Sequence, residues 1–232
     1  MAEKENKAGR WKSILLLLLV FGPASLLIFV SLNKCEHKFE TLPSYGELKD
    51  FEFIRANGEH ITPETQKGKI TLYTTLQLSC PNNCAIDVAK FNLLLYQHYR
   101  KNRKKLGHIE IVSILTDEFG NAIDDLEEAE YILGDIIPDY DPEIWKIAAG
   151  DPKQIYNITS NGINLYEQVS DTAFANKPFL ETMLIVDKQN KLRLVRRGNV
   201  EGLIRDFKEH VALLQKQYDK EDYAKRKNQI EE

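Results

Sequence analysis

Two cysteines, Cys80 and Cys84, lie four positions apart in the run Ser79-Cys80-Pro81-Asn82-Asn83-Cys84. A cysteine thiolate is both the nucleophile of thiol–disulfide exchange and a ligand for soft metal ions. Two thiolates favour Cu(I) among the available metals. Zinc usually requires four ligands, and the chain has no second cysteine pair. The spacing therefore predicts exchange or Cu(I) chemistry at Cys80 and Cys84, with a static disulfide or two idle thiols as the alternative.

The segments on either side of the pair predict how it is held. Residues 70–76 are apolar and rich in β-formers, which predicts a strand. One set of apolar positions recurs at spacings of three and four and predicts a helix over 84–105 with a buried face. Its members are Cys84, Val88, Phe91, Leu95 and Tyr99. We therefore expect Cys80 at the first helical turn, where unpaired backbone N–H groups lower a thiol pKa, and Cys84 on the same helix face.

The rest of the chain alternates between strand and helix patterns. A hairpin is predicted over 51–61 with a turn at Asn57-Gly58, and a second apolar strand over 109–115. The later predicted elements are an acidic helix over 122–133, a short strand over 144–148, a hairpin of 182–187 with 192–196, and a final helix whose apolar face carries Leu203, Phe207, Val211, Leu214 and Tyr218. This alternation predicts an α/β sheet that is covered on both faces.

Residues 14–32 form an uncharged apolar run that is long enough to cross a bilayer core. Basic residues are concentrated before it, which places the N-terminus in the cytoplasm and the remainder outside. A cleaved signal peptide is the alternative, although the run is longer than such peptides usually carry. The predicted organisation is a cytoplasmic N-terminus at 1–12, a transmembrane helix at 13–33, a tether at 34–50, a folded domain at 51–218 and a charged tail at 219–232.

Bulk composition limits the remaining possibilities. The chain has 232 residues and a formal net charge of −4, so nothing global indicates nucleic-acid binding. Its three cysteines are too few for a disulfide-stapled scaffold. With the apolar run, these features predict a single-pass protein of a bacterial inner (cytoplasmic) membrane. Its C-terminal domain would lie on the periplasmic or outer side, with membrane lipid as a partner through the anchor.

Over roughly residues 43–210 the chain resembles the Sco/SenC family, which comprises membrane-anchored copper chaperones of cytochrome oxidase assembly. The five-residue Cys-Pro-x-x-Cys motif is the specific feature, because thioredoxins use Cys-x-x-Cys. The other matching features, in chain order, are Asn57-Gly58, Gly68-Lys69, Trp145 with Gly150, and Leu184-Ile185-Val186-Asp187.

The resemblance implies a thioredoxin-like fold, in which a central mixed β-sheet is flanked by helices. It also implies that copper, as Cu(I), is bound by Cys80 and Cys84. The family's third ligand is a histidine shortly before the last hairpin, and its place falls at about Phe179. The third copper ligand of this chain is therefore unknown.

Three further positions depart from related patterns. Ala85 stands where the family has a proline after the second cysteine. The family's acidic residue after the second strand is replaced by Leu115, and Asp117 follows two positions later. Glu181 occupies the place of the cis-proline of thioredoxins.

Two functions remain open from the sequence. The resemblance implies delivery of Cu(I) by Cys80 and Cys84 to a copper-containing oxidase subunit. The missing histidine favours a thiol–disulfide oxidoreductase, which would act on the cysteines of such a subunit or on another exported thiol protein. A third interpretation is an assembly partner whose dithiol senses redox state.

Overall fold

The computed structural model describes residues 11–12, 15–23, 25–26, 28, 42–78, 84–160, 163–166 and 176–231. The chain divides into two compact units, Met1–Glu40 and Thr41–Glu232. Within the first unit, the described residues are helical, and their large apolar side chains are 57–72% exposed. No helix among the described residues is both long and apolar enough to span a bilayer. Much of the predicted transmembrane segment, 13–33, lies outside the described residues.

The second unit is built on a seven-stranded sheet with the order β2-β1-β5-β4-β3-β8-β9, beside a small β6-β7 hairpin. The strands are β1 Phe53–Arg55, β2 His60–Ile61, β3 Ile70–Leu76, β4 Ile109–Leu115, β5 Trp145–Ala149, β6 Thr159–Ser160, β7 Ile163–Asn164, β8 Thr182–Val186 and β9 Leu192–Arg197.

The helices of this unit connect and cover the strands. They are α1 Pro63–Gln66, α2 at 88–101, α3 Arg103–Leu106, α4 Leu126–Ile136, α5 Lys153–Tyr156 and α6 Glu201–Glu231. Helix α2 begins with Val88–Phe91, widens into a π-helical turn at Asn92–Tyr96 and ends with Gln97–Lys101. A short 3₁₀ helix, Pro178–Glu181, leads into β8.

The pairing of four adjacent strands identifies the fold. Strand β3 is parallel to β4 and antiparallel to β8, and β8 is antiparallel to β9. A helix follows β3 and another follows β9. This β-α-β unit, completed by a β-hairpin and a terminal helix, is the thioredoxin-like arrangement. The predicted thioredoxin-like fold with a mixed sheet is therefore confirmed.

Apolar side chains cover both faces of the sheet, as the sequence predicts. On one face, α2, α4 and α6 pack through residues such as Phe91, Leu133 and Phe207, all fully buried. Trp145 lies within this cluster, where its Nε1 donates a 2.8 Å hydrogen bond to Ser113 Oγ. The second face is covered by a cluster that includes Phe53. Burial of apolar surface on both faces is the main stabilising contribution to such a fold.

Several boundaries differ from the predictions. Helix α4 begins at Leu126 rather than at 122, because the Asp125 side chain caps it by accepting the Glu128 N–H. The buried residue in the first turn of α6 is Ile204, not Leu203. The predicted charged tail at 219–232 continues α6 as helix to Glu231.

The later part of the predicted tether lies against the domain. Leu48 is buried, and its N–H donates a 2.8 Å hydrogen bond to the Asn190 carbonyl. The Tyr45 N–H donates to the Leu192 carbonyl at 2.9 Å, so this segment pairs with the first residue of β9. Residues 42–50 are therefore part of the folded unit, whereas 34–41 lie outside the described residues.

The environment of His108 makes stability pH-dependent. Burial, followed by the charge of Lys188, lowers the His108 pKa, and Asp219 opposes this only in part. An unfolded histidine has a pKa of about 6.5. Because the pKa of His108 is lower in the folded protein, protonation of this residue favours the unfolded state. The contribution of neutral His108 to folding stability is therefore complete above the unfolded pKa, and it is lost as the pH falls through that value toward the folded pKa.

We therefore expect the full chain to be less stable at pH 5.5 than at pH 7.5, and His108→Asn to reduce that difference. Urea titrations of both proteins at the two pH values measure it. Equal pH differences in the two proteins would contradict this assignment.

Candidate functional site

Cys84 is half-buried and disulfide-bonded. It lies eight positions beyond Leu76, the last residue of β3. The other two cysteines, Cys35 and Cys80, lie outside the described residues, as does the rest of the 79–83 run.

Cys84 does not lie in a helix, and this corrects a prediction. Helix α2 begins at Val88, and its N-cap is Asp87, whose Oδ1 accepts the Lys90 N–H at 3.0 Å. A side-chain carboxylate therefore already caps the N-terminus of α2. The predicted buried face is otherwise confirmed, because Phe91 and Leu95 are fully buried. The arrangement of Cys84 must be explained by the segment at 84–87, rather than by a shared helix face.

The segment at 84–87 rests on the turn that follows β9. The Asp87 N–H donates a 3.2 Å hydrogen bond to the Gly198 carbonyl. The side chain of Ile86 is buried against Gly198, at the place where a Cβ atom would stand. That hypothetical Cβ would also lie 3.1 Å from Met183 Cγ. Glycine at 198 therefore allows the backbone of this turn to approach the segment after Cys84.

Glu181 anchors the same turn from the start of β8. Its carboxylate is 2% exposed, pairs with Arg197 Nε at 3.0 Å, and accepts a 2.8 Å hydrogen bond from Asn199 Nδ2. Its backbone carbonyl accepts the Gly198 N–H at 2.7 Å. The residue at the thioredoxin cis-proline position is thus a buried carboxylate, and no cis peptide bond occurs among the described residues.

Phe179, at the place of the family's histidine, is fully buried. Its ring stacks on Tyr166 with a centroid distance of 4.5 Å and an interplanar angle of 12°. Tyr156 approaches from another direction at 5.8 Å. Aromatic packing of this kind contributes stability and offers no metal ligand. The site therefore has no imidazole at this position.

Asp117, close to the place of the family's acid, is used by its own turn. Its Oδ1 accepts the N–H groups of Phe119 and Asn121 at 2.8 Å, and its Oδ2 accepts Asn121 Nδ2 at 2.7 Å. Burial acts to raise the Asp117 pKa, but these hydrogen bonds outweigh it and the net pKa is lowered. The carboxylate therefore has a structural role in shaping the loop after β4.

Among the described residues, no group of three or more histidine, cysteine, aspartate or glutamate side chains is placed to hold a metal ion. Since Cys80 lies outside those residues, the predicted cysteine pair remains a prediction. Met183, a thioether near this segment, is buried in the core, as its place in a strand predicts.

The sequence did not indicate the roles of Gly198, Arg197 and Asn199. A glycine directly after a strand is a signal of close backbone approach, and Gly198 carries that signal. The ion pair to Glu181 has no comparable signal, because only the β8–β9 hairpin brings the partners together.

No protein-family model matches the chain, and no curated protein matches it. Among solved structures, BsSco, a member of the Sco family of cytochrome c oxidase assembly proteins, is 15% identical. It aligns over 76% of this chain and 96% of its own with a TM-score of 0.49. A SCO1/SenC family lipoprotein from Bacillus anthracis is 15% identical over 71% of this chain and 95% of its own, with a TM-score of 0.45.

A thiol peroxidase from Chromobacterium violaceum is 16% identical over 78% of this chain and 90% of its own, with a TM-score of 0.45. Sco family proteins and a thiol enzyme are thus among the solved structures that this chain is similar to. This likeness concerns the fold, and it includes members of the family that the sequence resembles.

Proposed function

We propose that the chain is a dithiol protein in which Cys80 and Cys84 alternate between a disulfide and a reduced, Cu(I)-binding state during assembly of a respiratory oxidase. The observation that supports this most directly is the disulfide bond of Cys84, located beyond the end of β3 in a thioredoxin-like fold. Dithiols of such folds are positioned for exchange with partner proteins.

Two sulfur ligands are sufficient for Cu(I), which accepts near-linear coordination by soft thiolates. Phe179 supplies no imidazole, so we expect Cu(II) to bind weakly. Copper is cargo in this proposal, and the cysteines hold it only until it is transferred. The sequence resemblance to the Sco/SenC family supports this version.

Thiol–disulfide exchange without copper transfer is the second candidate, favoured by the aromatic packing at Phe179. The Cys80 thiolate would attack one sulfur of a partner disulfide, forming a mixed disulfide and releasing the partner's other thiolate. The Cys84 thiolate would then attack Cys80, releasing the partner's second thiolate and forming the Cys80–Cys84 disulfide. The partner is thereby reduced by two electrons and the protein is oxidised by two.

We further propose that the N-terminal apolar run anchors the protein in a bacterial inner membrane, with the domain on the outer side. The uncharged length of 14–32 and the preceding basic residues support this. The exposure of the apolar side chains at 15–21 is also what a lipid-facing helix requires.

A Cu(I) titration of the full chain in detergent separates the two functions. The protein is reduced under anaerobic conditions and titrated against a competing Cu(I) chelator. Copper delivery predicts a Kd of about 1 pM or lower for one Cu(I) per chain. A Kd above about 1 nM, with turnover of a peptide disulfide, supports exchange instead. A protein that neither binds Cu(I) tightly nor turns over the peptide disulfide would contradict both proposed functions.

A further inference from the structure

The turn at 197–199 connects a buried carboxylate to the segment after Cys84. Glu181 holds both ends of the turn through Arg197 and Asn199. In the middle of the turn, Gly198 accepts the Asp87 N–H, three residues beyond Cys84. A buried carboxylate is costly unless it is paired and hydrogen-bonded, so these contacts restrain the turn strongly.

Packing adds a second restraint. Ile86 is 1% exposed and fills the space beside Gly198. The segment at 84–87 therefore cannot move closer to the 197–199 turn, and its sideways movement is restricted. All of these contacts are formed while Cys84 is disulfide-bonded. Groups held in the geometry of a bond lose less entropy when that bond forms.

We infer that Glu181 is a positioning residue: through the 197–199 turn it holds the segment after Cys84 in its disulfide-bonded arrangement and so favours the oxidised state. This inference rests on the proposed dithiol function. The relevant reaction is protein dithiol plus glutathione disulfide, giving protein disulfide plus two glutathione thiols. Two electrons and two protons pass from the protein to glutathione.

Gly198→Ala tests the contact itself. A methyl group at this position overlaps Ile86, so it should displace the segment and lower the equilibrium constant for protein disulfide formation by about fivefold or more. Ile86→Val removes the overlapping Cδ1 atom. We expect the Gly198→Ala/Ile86→Val protein to return to within about twofold of the wild-type constant.

Glu181→Gln tests the anchor, since it keeps the side-chain shape and removes the charge that pairs with Arg197. We expect a shift of about threefold or more toward the dithiol. Glu201→Gln is the matched control, because Glu201 forms an exposed ion pair with Arg205 on α6. The full chain in detergent is equilibrated with glutathione buffers, quenched by alkylation and measured by mass spectrometry.

Equal constants for wild type, Gly198→Ala and Glu181→Gln would overturn the inference, as would a failure of Ile86→Val to restore Gly198→Ala. These outcomes are distinct from failure of the proposed function. The glutathione equilibrium reports the Cys84 disulfide whether or not the protein binds Cu(I) or reduces a partner.

Discussion

Replacing Cys84 with serine is expected to weaken Cu(I) binding by the reduced full chain by about 1000-fold or more. Serine retains the size of the side chain but provides no thiolate, and a single remaining thiolate cannot form the near-linear two-sulfur site. The same variant, reduced beforehand, should fail to convert a peptide disulfide to its dithiol, because the mixed disulfide at Cys80 would not be resolved from within the chain. Competitive Cu(I) titration and a peptide reduction assay measure the two effects.

Cys35→Ser is the matched control for this prediction, because it removes the third cysteine of the chain without touching the pair. We expect Cys35→Ser to bind Cu(I) and to turn over peptide disulfide as the wild type does. If Cys84→Ser retained wild-type behaviour and Cys35→Ser lost it, the assignment of the functional pair would be wrong.

Lys146→Met is expected to lower the free energy of unfolding by about 3 kcal/mol. Lys146 is 2% exposed, and its Nζ lies 3.1 Å from Glu110 Oε2 and 3.3 Å from Glu59 Oε1. Methionine preserves the packing of the stem, but among the described residues it leaves the buried Glu110 carboxylate with a single ion-pair partner, Lys69 at 3.0 Å. Removing one member of a buried ion pair is strongly destabilising because the other charge remains desolvated.

Adding Glu110→Gln to Lys146→Met should recover at least about half of that loss, since it removes the buried charge that has lost one of its two lysine partners. Arg205→Ala, which breaks only the exposed pair with Glu201, should change stability by less than about 1 kcal/mol. Urea titrations followed by far-ultraviolet circular dichroism measure all three proteins. A loss for Lys146→Met no larger than that for Arg205→Ala would show that the buried pair is energetically unimportant.

The central strands are predictable from the sequence because most of their residues are apolar or β-branched. Strands β3 and β4 begin and end where the sequence predicts, at 70–76 and 109–115. Turn chemistry is equally local: Gly58 adopts a φ of +80°, as the hairpin prediction requires. Such elements depend on neighbouring residues alone, so a single sequence contains the information.

The start of α2 depends on tertiary contacts and was therefore predicted wrongly. The apolar spacing from Cys84 favours an early helix start, but the Asp87 cap and the packing of Ile86 at Gly198 prevail. Asp87 itself is a recognisable N-cap residue, so its local signal competed with an equally local one. The turn after the β8–β9 hairpin selects the later start, because Gly198 contacts Ile86 and accepts the Asp87 N–H.

The candidate site is also predictable only in part: the sequence identifies its cysteine but not the contacts that surround it. Spacing and residue type identify Cys84 as chemically important, and the structure places it in a disulfide. The pairing of Glu181 with Asn199, 18 positions later, follows from strand register and from burial, neither of which the sequence displays. Glutamate is rarely buried, so neither Glu181 nor its neighbours in the sequence indicate that its side chain is buried.

The backbone pairing of residues 45–48 with Asn190 and Leu192, at the start of β9, has a practical consequence for protein production. A recombinant fragment beginning at residue 51 would leave the N–H and C=O groups of Leu192 without these partners and extend the open edge at β9, a template for edge-to-edge aggregation. A fragment that begins at or before Leu42 retains these backbone hydrogen bonds, together with the 2.8 Å hydrogen bond that the Leu42 carbonyl accepts from Arg193 Nη1.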